Sequence, residues 1–361
     1  MEATARAATR KIRVLIVDDS AFMRRAIDRL LEHQPEIEIV GHATNGVEGV
    51  QKALELRPDV ITMDVEMPQL DGVSAVTEIM RAVPTSIIML STTTTEGAST
   101  TIRALEAGAI DCVAKPSSLS VDLQSVGERL CAAILRARDV RPRHIRALPR
   151  PLTATPARPE MPRLARPTGA SGSITVIGSS TGGPPALTQV IPQLPADLPC
   201  GVLLVQHLPA TFTGALARRL NDISHLNVRE AVEGDVVSAG TVLVAPGDFH
   251  MTVDSRRVVH LNKAPALHGV RPAVDVTLDS VASVYGARAT VAILTGMGKD
   301  GAAGAARVES AGGHIIVQDE ATCVVWGMPK VTKEQTARAQ ELPIDRIAAA
   351  ITRSASQKAA G

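Results

Sequence analysis

The stretch Ile174-Thr175-Val176-Ile177-Gly178-Ser179-Ser180-Thr181-Gly182-Gly183-Pro184-Pro185-Ala186-Leu187 decides the fold. A β-branched apolar run, then glycines, then prolines suited to a first helical turn, reads as strand, tight turn and helix in an α/β sheet. Such an elbow lifts one side chain above the sheet edge. Two chemistries use this geometry: a serine nucleophile presented at the turn, or a phosphate held by backbone N–H groups at the helix N-terminus. Taken alone, the turn is equally compatible with a plain connection that carries no chemistry.

The neighbouring sequence narrows the choice. Gly201 to Val205 reads as another strand and ends in Gln206-His207, and Thr290 to Leu294 runs into Thr295-Gly296-Met297-Gly298-Lys299-Asp300-Gly301 before an Ala-rich helix. A histidine is often a packing residue and an aspartate at a helix start is often only a cap. Three elbows at the carboxyl ends of three strands, however, offer Ser180, His207 and Asp300 to one crevice. Hydroxyl, imidazole and carboxylate are the set that activates a serine: the imidazole takes the hydroxyl proton and the carboxylate fixes its tautomer. The backbone N–H groups of Thr181 and Met297 are the candidate oxyanion donors. A nucleotide site would need partners that are missing, since the Gly-Ser-Ser-Thr-Gly-Gly turn has no lysine and no acidic ribose ligand follows at a Rossmann-like position. The order Ser, His, Asp also differs from the Ser, Asp, His order of α/β-hydrolases.

Upstream, from Lys11 to about Cys131, short apolar strands alternate five times with amphipathic helices, which implies a parallel sheet covered on both faces. Strands are expected at Ile12–Val17, Ile37–Val40, Val60–Met63, Ile87–Leu90 and Ile110–Ala114. Met23, Ala26, Ile27, Leu30 and Leu31 form one apolar helical stripe, while Asn45 and Glu48 pair as a cap for a helix expected to turn Val47, Val50 and Leu54 inward. The polar residues that close the strands are Asp18 and Asp19, Asp64, Ser91, and Lys115 with Pro116. Any one of the aspartates could be a turn residue. Together at successive strand ends, three carboxylates need cationic company, which the Lys115 ammonium and a hard divalent ion such as Mg²⁺ would supply.

Composition bounds the rest. A chain of 361 residues accommodates two domains. Its aromatics are only Phe22, Phe212, Phe249, Tyr285 and Trp326, and its formal net charge is +1, so base stacking and electrostatic capture of nucleic acid are not expected. No apolar run approaches a membrane span and no cleavable leader is visible, which points to the cytoplasm with no membrane insertion. Cys112, Cys131, Cys200 and Cys323 are widely spaced and read as buried thiols rather than a zinc site or disulfides. His33, His42, His225 and His314 read as surface or packing residues. Between the two α/β stretches lies an Arg/Pro-rich segment with few apolar residues, read as a solvated, flexible tether.

Two resemblances follow from these strings. The first stretch resembles a response-regulator receiver domain, which implies a flavodoxin-like sheet, phosphorylation of Asp64, Mg²⁺ held by Asp19, Asp64 and the backbone carbonyl of Glu66, Asp18 in an outer role, and phosphoryl contacts from Ser91 and Lys115. Cys112 stands where many receivers carry a switching Phe or Tyr. The second stretch resembles the chemotaxis protein-glutamate methylesterase/deamidase family, CheB, through Gly178-Ser179-Ser180-Thr181-Gly182-Gly183, Gln206-His207, Val244-Ala245-Pro246-Gly247, Gly296-Met297-Gly298-Lys299-Asp300-Gly301, and Gln318-Asp319-Glu320-Ala321-Thr322 leading to Trp326-Gly327-Met328-Pro329. Alignment on Thr-Gly-Gly places the nucleophile at Ser180 rather than Ser179, and Leu208-Pro209-Ala210 departs from the expected Met-Pro-Pro. The implied organisation is a receiver over residues 11–133, a linker over 134–171 and a Rossmann-like catalytic domain over 172–355, both domains doubly wound parallel sheets. The implied activity is hydrolysis of glutamyl methyl esters on chemoreceptors and deamidation of receptor glutamines, with no cofactor for hydrolysis. A sensor histidine kinase is the implied phosphodonor, and the chain is expected to be a monomer whose unphosphorylated receiver holds the hydrolase back.

Overall fold

A computed structural model describes residues 10–91, 94–115, 123–138, 140 and 171–360. Residues 141–170 of the expected linker and Pro116 lie outside the described residues. The chain divides into two compact units, taken separately below.

The first contains β1 (Ile12–Val17), α1 (Ala21–Glu32), β2 (Ile37–Ala43), α2 (Gly46–Leu56), β3 (Val60–Asp64), α3 (Gly72–Ala82) and β4 (Ser86–Ser91); along the chain comes α4 (Thr95–Ala107), of which all but Ala107 is outside this unit, and then its β5 (Asp111–Ala114) and α5 (Leu123–Ala137). Its sheet runs β2-β1-β3-β4-β5 with every pairing parallel, the flavodoxin-like order whose ligands gather beyond the carboxyl strand ends. β3 and β4 are buried at every position, because helices cover both faces of such a sheet. α5 continues to Ala137, past residue 134 where the linker was expected to start, and Ile134 and Ala137 are buried.

The cap of α2 forms as expected: Glu48 N–H donates to Asn45 Oδ1 at 2.9 Å, and the Glu48 carboxylate accepts from Thr44 N–H at 2.7 Å. Its inward face does not. Gly46, Gly49 and Ala53 are buried, whereas Val47 is 51% and Leu54 41% exposed. The reason is close approach: a Cβ on Gly46 would stand 2.3 Å from the Leu70 carbonyl oxygen, and one on Gly49 would stand 2.9 Å from Val17 Cγ1. A stripe chosen by hydrophobicity misses a face chosen for smallness.

The second unit holds β6 (Ile174–Ser179), α6 (Gly183–Val190), β7 (Gly201–Gln206), α7 (Ala210–Ile223), β8 (Asn227–Glu230), β9 (Thr241–Val244), β10 (His250–Val253), β11 (Val259–Asn262), α8 (Val274–Tyr285), β12 (Ala289–Ile293), α9 (Ala302–Ser310), β13 (His314–Gln318), α10 (Met328–Gln335), β14 (Gln340–Leu342) and α11 (Ile344–Ala360). α11 extends past residue 355, with Ala355 buried. The main sheet is parallel throughout, in the order β14-β13-β12-β6-β7-β9-β8. β10 and β11 add an antiparallel ribbon that the alternating pattern does not announce. The chain leaves β6 on one side toward β7 and later returns on the other side through β12. β6 therefore lies at the topological switch point, where a crevice opens above the strand ends. At the elbow itself, Gly182 has φ 75° and Pro184 follows within the first turn of α6, a backbone that L side chains rarely adopt.

We expect Gly46→Ala to destabilise the first unit by about 1–3 kcal/mol, because the added methyl meets fixed backbone, while Val47→Ala one position on stays within about 0.5 kcal/mol. Urea unfolding followed by hydrogen exchange at the β1 and β3 amides separates the two.

Candidate functional site

Two sites lie above strand ends, one per unit. In the first, Lys115 Nζ sits 2.8 Å from Asp18 Oδ2 and 2.7 Å from Asp64 Oδ2. Asp18 is fully buried and its other oxygen accepts from Ser20 N–H at 2.9 Å. Asp64 Oδ1 accepts from Val65 N–H at 2.7 Å. Ser91 closes β4 and is buried; Asp19 and Glu66 are exposed. One carboxylate oxygen each from Asp18, Asp19 and Asp64 lie within 4.8 Å of one another, a hard-oxygen cluster that fits Mg²⁺. Two buried carboxylates share one ammonium, and the electrostatics follow. Burial pushes the Asp64 carboxyl up to about 6, against the pull of Lys115 and with a push from Asp18. Burial also opposes the charge of Lys115, but Asp64 and Asp18 hold its ammonium above the ordinary lysine range. Cys112 is wholly buried, its thiol raised well above the usual range first by burial and then by Asp111.

In the second unit, β6 and β7 pair in a register that sets Ser179 opposite Gln206, so Ser180 and His207 leave adjacent strand ends. The turn after β12 brings Asp300 to His207: the ring Nε2 stands 2.7 Å from Asp300 Oδ2. Asp300 is buried and also accepts from the N–H groups of Val274 at 2.7 Å and Asp275 at 2.9 Å, the first residues of α8. Burial works against its charge; the His207 hydrogen bond, the His207 charge and the two N–H donors outweigh it and hold the carboxyl below the ordinary aspartate range. Among the described residues no hydrogen bond joins the Ser180 hydroxyl to His207. With Nε2 committed to Asp300, Nδ1 is the ring nitrogen left to take a proton.

The two adjacent serines part company here. Ser179 is fully buried and donates to Gln206 Oε1 at 2.6 Å; Ser180 is partly exposed at the elbow. Gln206 in turn donates from Nε2 to the carbonyls of Ser180 at 2.9 Å and His207 at 3.1 Å. A single amide thus braces the backbone on both sides of the crevice, a role that its place before His207 in the sequence does not reveal. Gln318 does the same for the β12 turn, accepting from Thr295 N–H at 2.8 Å. The Thr181 and Met297 N–H groups have no acceptor among the described residues. Gly296 admits no side chain, since a Cβ there would fall 2.9 Å from Ser180 Cβ and 2.3 Å from Met328 Sδ.

The fold and both sites define a response regulator whose output half is a Rossmann-like domain with a serine, histidine and aspartate at its switch point. A family model described as CheB methylesterase matches residues 175–351, and one described as response regulator receiver domain matches residues 14–126. The chain belongs to the CheB methylesterase family. It is 51% identical over 352 residues to a protein-glutamate methylesterase/protein-glutamine glutaminase of Symbiobacterium thermophilum, covering 95% of this chain and 97% of that one. A protein of the same name from Thermotoga maritima is 45% identical, covering 94% of this chain and 97% of that one, and one from Pyrococcus horikoshii is 43% identical, covering 94% and 92%.

The raised Asp64 carboxyl gives a stability prediction. The folded receiver binds that proton more tightly than the unfolded chain, so the ionised form opposes folding above about pH 6, and the cost fades as pH falls toward the ordinary aspartate range. In chelator at about pH 8, Asp64→Asn should stabilise the receiver by about 1–3 kcal/mol. The gain should disappear at about pH 4, as followed by urea unfolding.

Proposed function

We propose that this chain hydrolyses γ-glutamyl methyl esters on chemoreceptors, releasing methanol, deamidates particular receptor glutamines to glutamate, and does both under control of Asp64 phosphorylation. The observation that carries this reading is the His207–Asp300 pair at 2.7 Å beside the partly exposed Ser180 at the β6 elbow.

The chemistry follows from those groups. His207 Nδ1 takes the Ser180 hydroxyl proton while Ser180 Oγ attacks the glutamyl carbonyl carbon. Asp300 keeps Nε2–H directed inward and stabilises the imidazolium. Negative charge on the carbonyl oxygen falls to the free N–H groups of Thr181 and Met297. His207 then returns the proton to the departing methoxide, which leaves as methanol, or to the amide nitrogen, which leaves as ammonia. Water attacks the acyl–Ser180 ester by the same route in reverse and liberates glutamate. Ester and amide share one acyl intermediate, so one site serves both substrates.

In the receiver, Asp64 accepts the phosphoryl group from a sensor histidine kinase, with Lys115 and Ser91 contacting the phosphoryl oxygens. Asp19, Asp64 and the Glu66 carbonyl would hold Mg²⁺, with Asp18 outside them; the ion when bound offsets phosphoryl charge. The unphosphorylated receiver restrains the hydrolase in the cytoplasm, and phosphorylation shifts the population toward the active form.

The test is methanol release from methylated receptor membranes. Ser180→Ala should lower the rate by about 10⁴–10⁶, whereas Ser179→Ala, which removes a brace only, should cost less than about 10². A small phosphodonor with Mg²⁺ should accelerate the wild type and leave Asp64→Asn unchanged. Equal losses in Ser179→Ala and Ser180→Ala, or no methanol from the wild type, would contradict the reading.

A further inference from the structure

Beside the His207–Asp300 pair lies a second imidazole–carboxylate pair. His268 Nε2 is 2.9 Å from Asp275 Oδ2, and Asp275 Oδ1 accepts from Gly304 N–H at 2.7 Å. Asp275 is buried and is the second residue of α8, whose first two N–H groups are the ones bonded to Asp300. One side-chain atom each from His268, Asp275 and Asp300 lie within 4.8 Å of one another. Two buried carboxylates at that separation repel and strengthen the hold of any nearby base on its proton, unless each is held by its own donors.

The loop that carries His268 is built to deliver it. Buried His250 spans the loop, accepting from Ala273 N–H on Nδ1 at 3.2 Å and donating from Nε2 to the Pro265 carbonyl at 3.1 Å. At the tip, Leu267 and Val270 exchange both backbone hydrogen bonds around His268 and Gly269, whose φ values are 55° and 77°. That is the mirror-image tight turn in which Asn or Gly is the usual first residue. A histidine in that position accepts backbone strain, and its ring reaches a buried carboxylate.

We propose that His268, acting through Asp275, is a positioning residue for the hydrolysis: by holding the second carboxylate it sets the pH at which His207 becomes an effective base. The inference rests on the hydrolase reading above. The other charged groups on the elements packed here are directed elsewhere. Asp279 on α8 pairs with Arg307 of α9, Arg271 and Lys263 pair with Asp248, His250 is held by its two backbone partners, and Lys299 is exposed. Asp300 already accepts three hydrogen bonds, so Asp275 and His268 are the adjustable neighbours of His207.

The experiment uses the full chain and reads two quantities: the acid-limb midpoint of kcat/KM for methanol release, and the titration midpoint of the His207 imidazole by nitrogen NMR, assigned with His207→Asn. In His268→Ala the Asp275 carboxylate loses its donor, and both midpoints should move up by about half to one pH unit, a loss of roughly threefold to tenfold in rate on the acid side. His268→Gln keeps a donor and should bring them back toward wild type. Asp275→Asn keeps the shape and the Gly304 contact but removes the charge, and should move them down. A packing role alone would lower kcat in all three variants without opposite midpoint shifts, and midpoints unchanged in both His268→Ala and Asp275→Asn would overturn the proposal. If the wild type releases no methanol, the hydrolase reading fails, and the His207 NMR midpoints still decide whether the coupling exists.

Discussion

The second unit depends on one buried charge. An aspartate sunk beneath a parallel sheet edge would be too costly to ionise without donors on every side. Asp300 has three: the His207 ring, and the N–H groups that open α8, where the helix dipole also favours an anion. The donors come from two distant parts of the chain, the residue after β7 and the first turn of α8, and Asp300 itself belongs to the turn after β12. Satisfying the carboxylate therefore locks the end of β7, the turn after β12 and the start of α8 into one arrangement. Ser180 enters that frame through the Gln206 amide, which holds the carbonyls on both sides of the crevice.

The two units treat buried aspartates in opposite ways. Around Asp300 the donors outnumber the charge, and its carboxyl is held below the ordinary range. Around Asp64 two carboxylates share a single ammonium, and burial leaves its carboxyl raised to about 6. The first arrangement suits a residue that must remain ionised and never react. The second suits a carboxylate that gains from an incoming cation and from covalent conversion, since either relieves an uncompensated charge.

Much of this was legible in the sequence. Alternating apolar runs announce both parallel sheets, and polar residues at strand ends mark Asp64, Lys115, Ser180, His207 and Asp300, because parallel topology makes strand ends converge. Periodicity failed at α2, where the buried face is Gly46, Gly49 and Ala53 and the apolar Val47 and Leu54 face solvent. Hydrophobicity cannot show where another backbone must come close. It also could not show the braces: Gln206 reaches back to Ser180, Gln318 to Thr295, and Asp275 across to Gly304 as well as to nearby His268, and no local pattern distinguishes them from ordinary polar residues. Nor does local pattern mark where α5 and α11 stop, since they continue as long as residues such as Ile134 and Ala355 find a buried face.

The most direct test of the central constraint is the rate of methanol release by Asp300→Asn, measured on protein shown by hydrogen exchange to keep the β6, β7 and β12 amides protected. The amide fills the same space but no longer fixes the His207 tautomer or stabilises the imidazolium. A fall of about 10³–10⁴ in kcat with the fold intact is the result predicted. A folded Asp300→Asn protein within about tenfold of wild type would contradict the account.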